Sequence, residues 1–242
     1  MAEYFRQKSH QDQDMIKTTW ITIFLLVCFQ LTAQNKDSLS INFKLNFDKF
    51  PLLQHKKFIT SNKDTISIST FRCYISTIEI EYADKSVFKE KNSYHLIDLE
   101  NPKTLHIPIT KKSEKLISKV IFNIGIDSLT NTSGAMSGDL DPINGMYWAW
   151  QSGYINMKIE GISPSCPTRK NEFQFHLGGY LQPYYAMRKK VITVNNQDDI
   201  TLIIDVAVFL SEINLKHTNT VMLPGKVAMD LADSCTKMFY IE

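Results

Sequence analysis

The sequence predicts an all-β protein: a single-domain antiparallel β-sandwich with long loops and few short helices. Three observations carry that expectation. Apolar and polar residues alternate with period two in one segment after another, the pattern of strands with one buried face. These segments recur at near-regular spacing, separated by turns rich in Ser, Thr, Asn, Gly and Pro. Only residues 111–118, 211–215 and 227–232 leave room for short helices, too few for an alternating parallel α/β sheet.

Taken in order, residues 40–47 place Ile41, Phe43, Leu45 and Phe47 on one face, and Pro51 ends the strand before a loop carrying His55. Residues 64–71 and 74–82 alternate again and are rich in β-branched side chains. Residues 92–99 and 119–126 read as further strands, the second with Val120, Phe122, Ile124 and Ile126 on one face. Residues 128–138 are a loop. If residues 146–150 are extended, Met146, Trp148 and Trp150 share one face while Tyr147, Ala149 and Gln151 share the other. The strand continues with Ile155, Met157 and Ile159 against Asn156, Lys158 and Glu160. After a turn at 163–167, residues 172–177 put Phe173, Phe175 and Leu177 on one face and Gln174 and His176 on the other. Residues 191–194 and 200–209 are late strands.

The first fourteen residues are polar. From Met15 a short charged region, an apolar run over residues 20–29 and the small residue Ala33 make a secretory signal peptide, too short to span a bilayer. Residues 1–33 are therefore an N-terminal extension plus signal peptide, with translation starting at Met15. Val27 before Cys28 argues against a lipid anchor. Residues 34–242 form the exported domain, periplasmic or secreted, with no stable membrane span after cleavage. The net charge of +2 is unchanged by removing residues 1–33, which carry three basic residues (Arg6, Lys8, Lys17) and three acidic ones (Glu3, Asp12, Asp14). That near-neutrality excludes nucleic acid as a partner. Lys56-Lys57, Lys111-Lys112 and Lys189-Lys190 read as solvated loop charges. Cys73, Cys166 and Cys235 allow one disulfide and one free thiol in an oxidising compartment, with the pairing open.

Several strings together resemble the MbnP-like family. They are Phe71-Arg72-Cys73-Tyr74-Ile75-Ser76-Thr77-Ile78, His95-Leu96-Ile97-Asp98, Phe122-Asn123-Ile124-Gly125-Ile126 and Asp139-Leu140-Asp141-Pro142. To these are added the run from Gly145 through Trp148-Ala149-Trp150 to Tyr154, Lys158-Ile159-Glu160-Gly161, and Phe175-His176-Leu177-Gly178-Gly179. The family comprises periplasmic proteins similar to the methanobactin-associated partner protein, many in Bacteroidetes-type bacteria. The resemblance implies copper binding in the cell envelope, sometimes beside a di-haem peroxidase-like partner that oxidises a tryptophan. One departure stands out: relatives carry an Asn-His pair after the Ile-Gly strand, where this chain reads Asn131-Thr132.

No GxSxG, HExxH, Walker or GxGxxG pattern is present, so a non-catalytic protein is expected. The histidines of the exported domain form no close pair, and a metal site must be assembled across strands. The candidate ligands are His176, selected by the resemblance, with Met146 and the indoles of Trp148 and Trp150; Cu(I) accepts imidazole and thioether. The commoner role of a Met/Trp stripe is core filling. Asp139, Asp141 and Asn144 suggest an oxygen-lined calcium loop, but the closing Glu of such loops is absent and ordinary turn chemistry is favoured. The alternative reading is a carbohydrate- or protein-partner-binding module, with Tyr180, Tyr184 and Tyr185 stacking on a ligand. Exposure of the tryptophans discriminates between the two.

Overall fold

A long strand of eighteen residues, Thr65–Tyr82, is the spine of the protein. In the computed structural model, which describes residues 1, 38–111, 113–194 and 200–242, it is the fourth strand. The first eight are β1 (Ser38–Phe47), β2 (Phe50–Pro51), β3 (Lys57–Ile59), β4 (Thr65–Tyr82), β5 (Val87–Lys89), β6 (Tyr94–Asp98), β7 (His106–Lys111) and β8 (Ile117–Ile124). A short helix α1 (Ser128–Thr132) precedes β9 (Tyr147–Trp148), β10 (Gly153–Ile162), β11 (Glu172–Gly178), β12 (Tyr180–Leu181) and β13 (Tyr184–Tyr185). Then follow β14 (Arg188–Thr193), β15 (Ile200–Asp205), α2 (Val206–Ser211), β16 (Thr220–Val221), α3 (Lys226–Cys235) and β17 (Phe239–Ile241). The expected signal peptide, Met15 to Ala33, lies outside the described residues. Leu39–Glu242 form one compact unit. Among the described residues no helix is long and apolar enough to cross a membrane.

The larger sheet runs β14-β8-β4-β10-β11-β16, with β3, β5 and β6 added to β4 and β9 to β10. The smaller runs β17-β15-β1-β2, with β7 on β1, and β12 and β13 form a separate hairpin. Most pairs are antiparallel, as expected. Among the pairings with a described register, the exceptions are β1 with β15, where Ile41 faces Ile200, and β11 with β16, where Gln174 faces Thr220. Parallel pairing needs a long crossover, and between β1 and β15 the chain makes most of the domain.

The two segments expected at 64–71 and 74–82 are one strand. It stays continuous by bulging: the register against β8 slips between Ser76 and Glu79, and Thr77 there takes a left-handed φ of 53°. Among the described residues of the segment 111–118 none is helical: β7 ends at Lys111 and β8 begins at Ile117. Within the loop expected at 128–138, Asp127 caps α1 by accepting from Thr130 N. The strand expected at 200–209 stops at Asp205, which caps α2 by accepting from Ala207 N. That cap moves the helix expected at 211–215 upstream. The expected helix at 227–232 lies within α3. Lys189 and Lys190 stand on β14 rather than in a loop, and Lys190 Nζ donates to Thr236 O at 2.7 Å.

Between the sheets, and under α2 and α3, lies the main core, with Phe43, Phe71, Phe122, Ile159, Phe173, Phe175, Phe209 and Phe239 among its members. Each such side chain contributes roughly 1.5–3 kcal/mol by leaving water. A second, smaller cluster occupies the opposite face of the larger sheet: Tyr74, Leu96, Ile126, Leu140, Met146, Trp148, Tyr154 and Ile155. Strand alternation explains the division: Cys73 belongs to the first cluster and its neighbour Tyr74 to the second.

Candidate functional site

β10 and β11 bring a histidine, a carboxylate and a lysine together on the face away from the main core. Their register sets His176 opposite Lys158 and Gln174 opposite Glu160. Phe173, Phe175 and Leu177 point into the core, so His176 points outward, as the alternation requires. Outward here does not mean wet: His176 is only 6% exposed. Its Nε2 donates to Glu160 Oε1 at 2.7 Å. That hydrogen bond holds the Glu160 carboxyl down to about 2; burial opposes the shift and the Lys158 ammonium, 3.6 Å away, assists it. On the far side of Lys158, Arg72 donates to Asp98 at 3.0 Å and to Asn144 O at 3.0 Å.

Trp148 lies on the same face. A Cβ built on Gly178 would stand 2.7 Å from its ring, so the indole rests against Gly178. Gly178 follows His176 by two positions in β11, roughly 7 Å along the strand, and indole and imidazole are therefore neighbours on one surface. Met146 is fully buried in the small cluster with Trp148.

Trp150 departs from the expected stripe. β9 ends at Trp148, whose carbonyl accepts from Gln151 N at 3.3 Å, and Ser152 adopts a φ of 53°. The chain turns there, leaving Trp150 62% exposed with its ring 5.7 Å from that of Trp148. Trp150, Tyr180, Leu181, Tyr184, Leu223 and Pro224 line a shallow depression of about 400 Å³. The discriminating observation is thus split, one tryptophan buried and one in solvent.

Thr132, where the family resemblance implies a histidine, is exposed on α1 and its hydroxyl donates to Leu129 O at 2.8 Å. Its neighbour Asn131 does more. Its Nδ2 donates to Ile126 O at 3.0 Å and Asp127 O at 2.9 Å, and its Oδ1 accepts from Tyr154 N at 2.7 Å. Asn156 Oδ1 accepts from Ile126 N at 3.0 Å, while its buried Nδ2 has no partner. Nothing in the sequence marks Glu160, Asn131 or Asn156 as site residues, although Glu160 and Asn131 lie in the strings that carry the resemblance or its departure. No local pattern marks which strand residue will meet which.

In the Asp139–Asn144 segment Asp141 and Asn144 hold the turn, and Asp139 ties it to β6. Asp139 accepts from Leu96 N and Asp141 from Ile143 N, both at 2.9 Å, and Asn144 donates to Gly138 O and Asp139 O. Among the described residues no group of three or more His, Cys, Asp and Glu side chains is placed to hold a metal ion. Cys73, Cys166 and Cys235 are free and buried, so the disulfide allowed by the sequence is not formed. For copper, the donor types suit: His176 offers an imidazole whose Nε2 is engaged by Glu160, which leaves Nδ1 as the nitrogen for a metal. The thioether of Met146 lies on the same face but closed within its apolar cluster.

The MbnP family model matches residues 36–223. Among solved structures, MbnP from Methylosinus trichosporium superposes with a TM-score of 0.56 at 14% identity, over 72% of this chain and 77% of that one, a likeness of fold. No curated protein sequence matches the chain.

Proposed function

This chain belongs to the MbnP family, and from that membership we propose that it is an exported, non-catalytic envelope protein that binds copper and works beside a di-haem peroxidase-like partner. The observation that carries the reading is the His176–Glu160 pair beside the Trp148 indole. A carboxylate on one ring nitrogen fixes the tautomer and orientation of an imidazole and raises the basicity of the other nitrogen, the usual outer support of a histidine ligand. His176 is the leading ligand, with Met146 as a soft second donor and Trp148 and Trp150 beside it. Copper bound there would supply a soft, redox-active cation. Trp150, exposed at the turn, is the indole that an outside partner reaches without unfolding anything.

The test is a Cu(I) titration against a competing chelator, with His176→Ala and Met146→Ala alongside. In the folded wild type one equivalent that depends on His176, weakened at least tenfold in His176→Ala, is expected. Binding that is indifferent to His176 would refute the assignment.

A second reading is supported by the depression beside Trp150, whose exposed aromatic rim of Trp150, Tyr180 and Tyr184 suits a sugar ring or an apolar partner segment. Glycan arrays with wild type and Trp150→Ala test it; retention lost in the variant favours that reading.

A further inference from the structure

Three sulfur-bearing residues lie side by side in the main core, away from the face described above. Met157 on β10 lies opposite Cys73 on β4, and both point between the sheets. From the other side α3 delivers Cys235, whose Sγ donates to Met157 Sδ at 3.3 Å. All three residues are at most 2% exposed. Burial pushes the Cys235 thiol far up, and a charge on Cys73 would push it further in the same direction. Both therefore rest as neutral thiols in an apolar shell.

We infer that Cys73, Met157 and Cys235 form a buried three-sulfur site for a soft monovalent cation, Cu(I) or Ag(I). Thiolate and thioether select such ions over harder divalent ones. Charge also decides the stoichiometry. Binding breaks the Cys235 S–H bond, forms a sulfur–metal bond and releases one proton, with no change of oxidation state. One cation, one thiolate, one neutral thiol and one thioether sum to zero, as an apolar core without a counter-ion demands. A divalent ion in the same place would leave a net positive charge. The site stands apart from the reading at His176 and does not depend on it.

The full-length protein is refolded with one equivalent of Cu(I) and a competing chelator, and thiolate-to-copper charge transfer is read in the near ultraviolet. The same is done for His176→Ala, Cys235→Ser and Met157→Leu. The charge-transfer signal is expected in the wild type and in His176→Ala, absent in Cys235→Ser, and accompanied by an affinity loss of at least tenfold in Met157→Leu. Met157→Leu conserves volume and keeps the core folded, so its result stands even if the serine variant fails to fold. No signal in the wild type, an unchanged affinity in Met157→Leu, or a mass showing Cys73 and Cys235 joined as a disulfide would each overturn the site. A signal lost only in His176→Ala would overturn it too, while leaving the His176 assignment standing.

Discussion

His176 Nε2 and Glu160 Oε1 stand 2.7 Å apart on a diagonal between β11 and β10, joining the two strands on the face away from the main core. The carboxyl of Glu160 is held at about 2 against an ordinary value of 4.5. A depressed carboxyl stabilises the fold above its unfolded value, and that stability is lost as pH falls from about 4.5 towards 2. Glu160→Gln should cost about 1–2 kcal/mol at neutral pH, allowing for solvent screening of the pair. The wild type and the variant should converge near pH 2. Urea denaturation across this range checks both; a gap that persists at the acid end would show that the pair is not its origin.

The two tryptophans should behave oppositely. Trp148 is buried against Gly178 in the small cluster, so Trp148→Ala should cost roughly 3–5 kcal/mol. Trp150 projects from the turn, and Trp150→Ala should change stability by no more than about 0.5 kcal/mol. Thermal melts measure the contrast. Equal costs would mean that Trp150 packs as well as Trp148 does.

Gly178 gives a third expectation. A methyl group there would meet the Trp148 ring at 2.7 Å and Tyr154 O at 2.8 Å. The backbone oxygen cannot swing aside, so Gly178→Ala should destabilise by about 1–3 kcal/mol and displace the indole. Tryptophan emission and a melting curve report the two effects together. An unchanged emission spectrum would contradict the contact.

Asn131 and Thr132 are adjacent but unequal. Asn131→Ala strips partners from Ile126 O, Asp127 O and Tyr154 N, and a loss of about 2–3 kcal/mol is expected. Hydrogen exchange at the Tyr154 amide should accelerate with it. Thr132→Ala, at an exposed position, should fall within about 0.5 kcal/mol of wild type. A comparable loss at Thr132 would mean that α1 itself, rather than the Asn131 side chain, ties this loop to β10.

Sequence alone determined the properties that repeat along one strand. Alternation sent Phe173, Phe175 and Leu177 inward and His176 outward, and placed Met157 and Ile159 in the core, because neighbouring side chains of an extended chain must face opposite ways. Ile155 and Ile126, expected on the same faces, lie in the smaller cluster, across a bulge in β10 and beyond the end of β8. The turn around Asp141 and Asn144 was equally legible, its side chains bonding the backbone beside them. Period two says which face a residue takes, but not what covers that face. His176 is buried because Glu160 meets it through the register of β10 and β11, and Trp148 is buried because the loop before β9 folds back over the sheet. Trp150 left the stripe when the chain turned after Trp148. The parallel pairing of β1 with β15, and the meeting of Met157 with Cys235, join segments far apart in the chain. Register and long-range covering are settled by the burial of the whole core at once, and no local pattern encodes them.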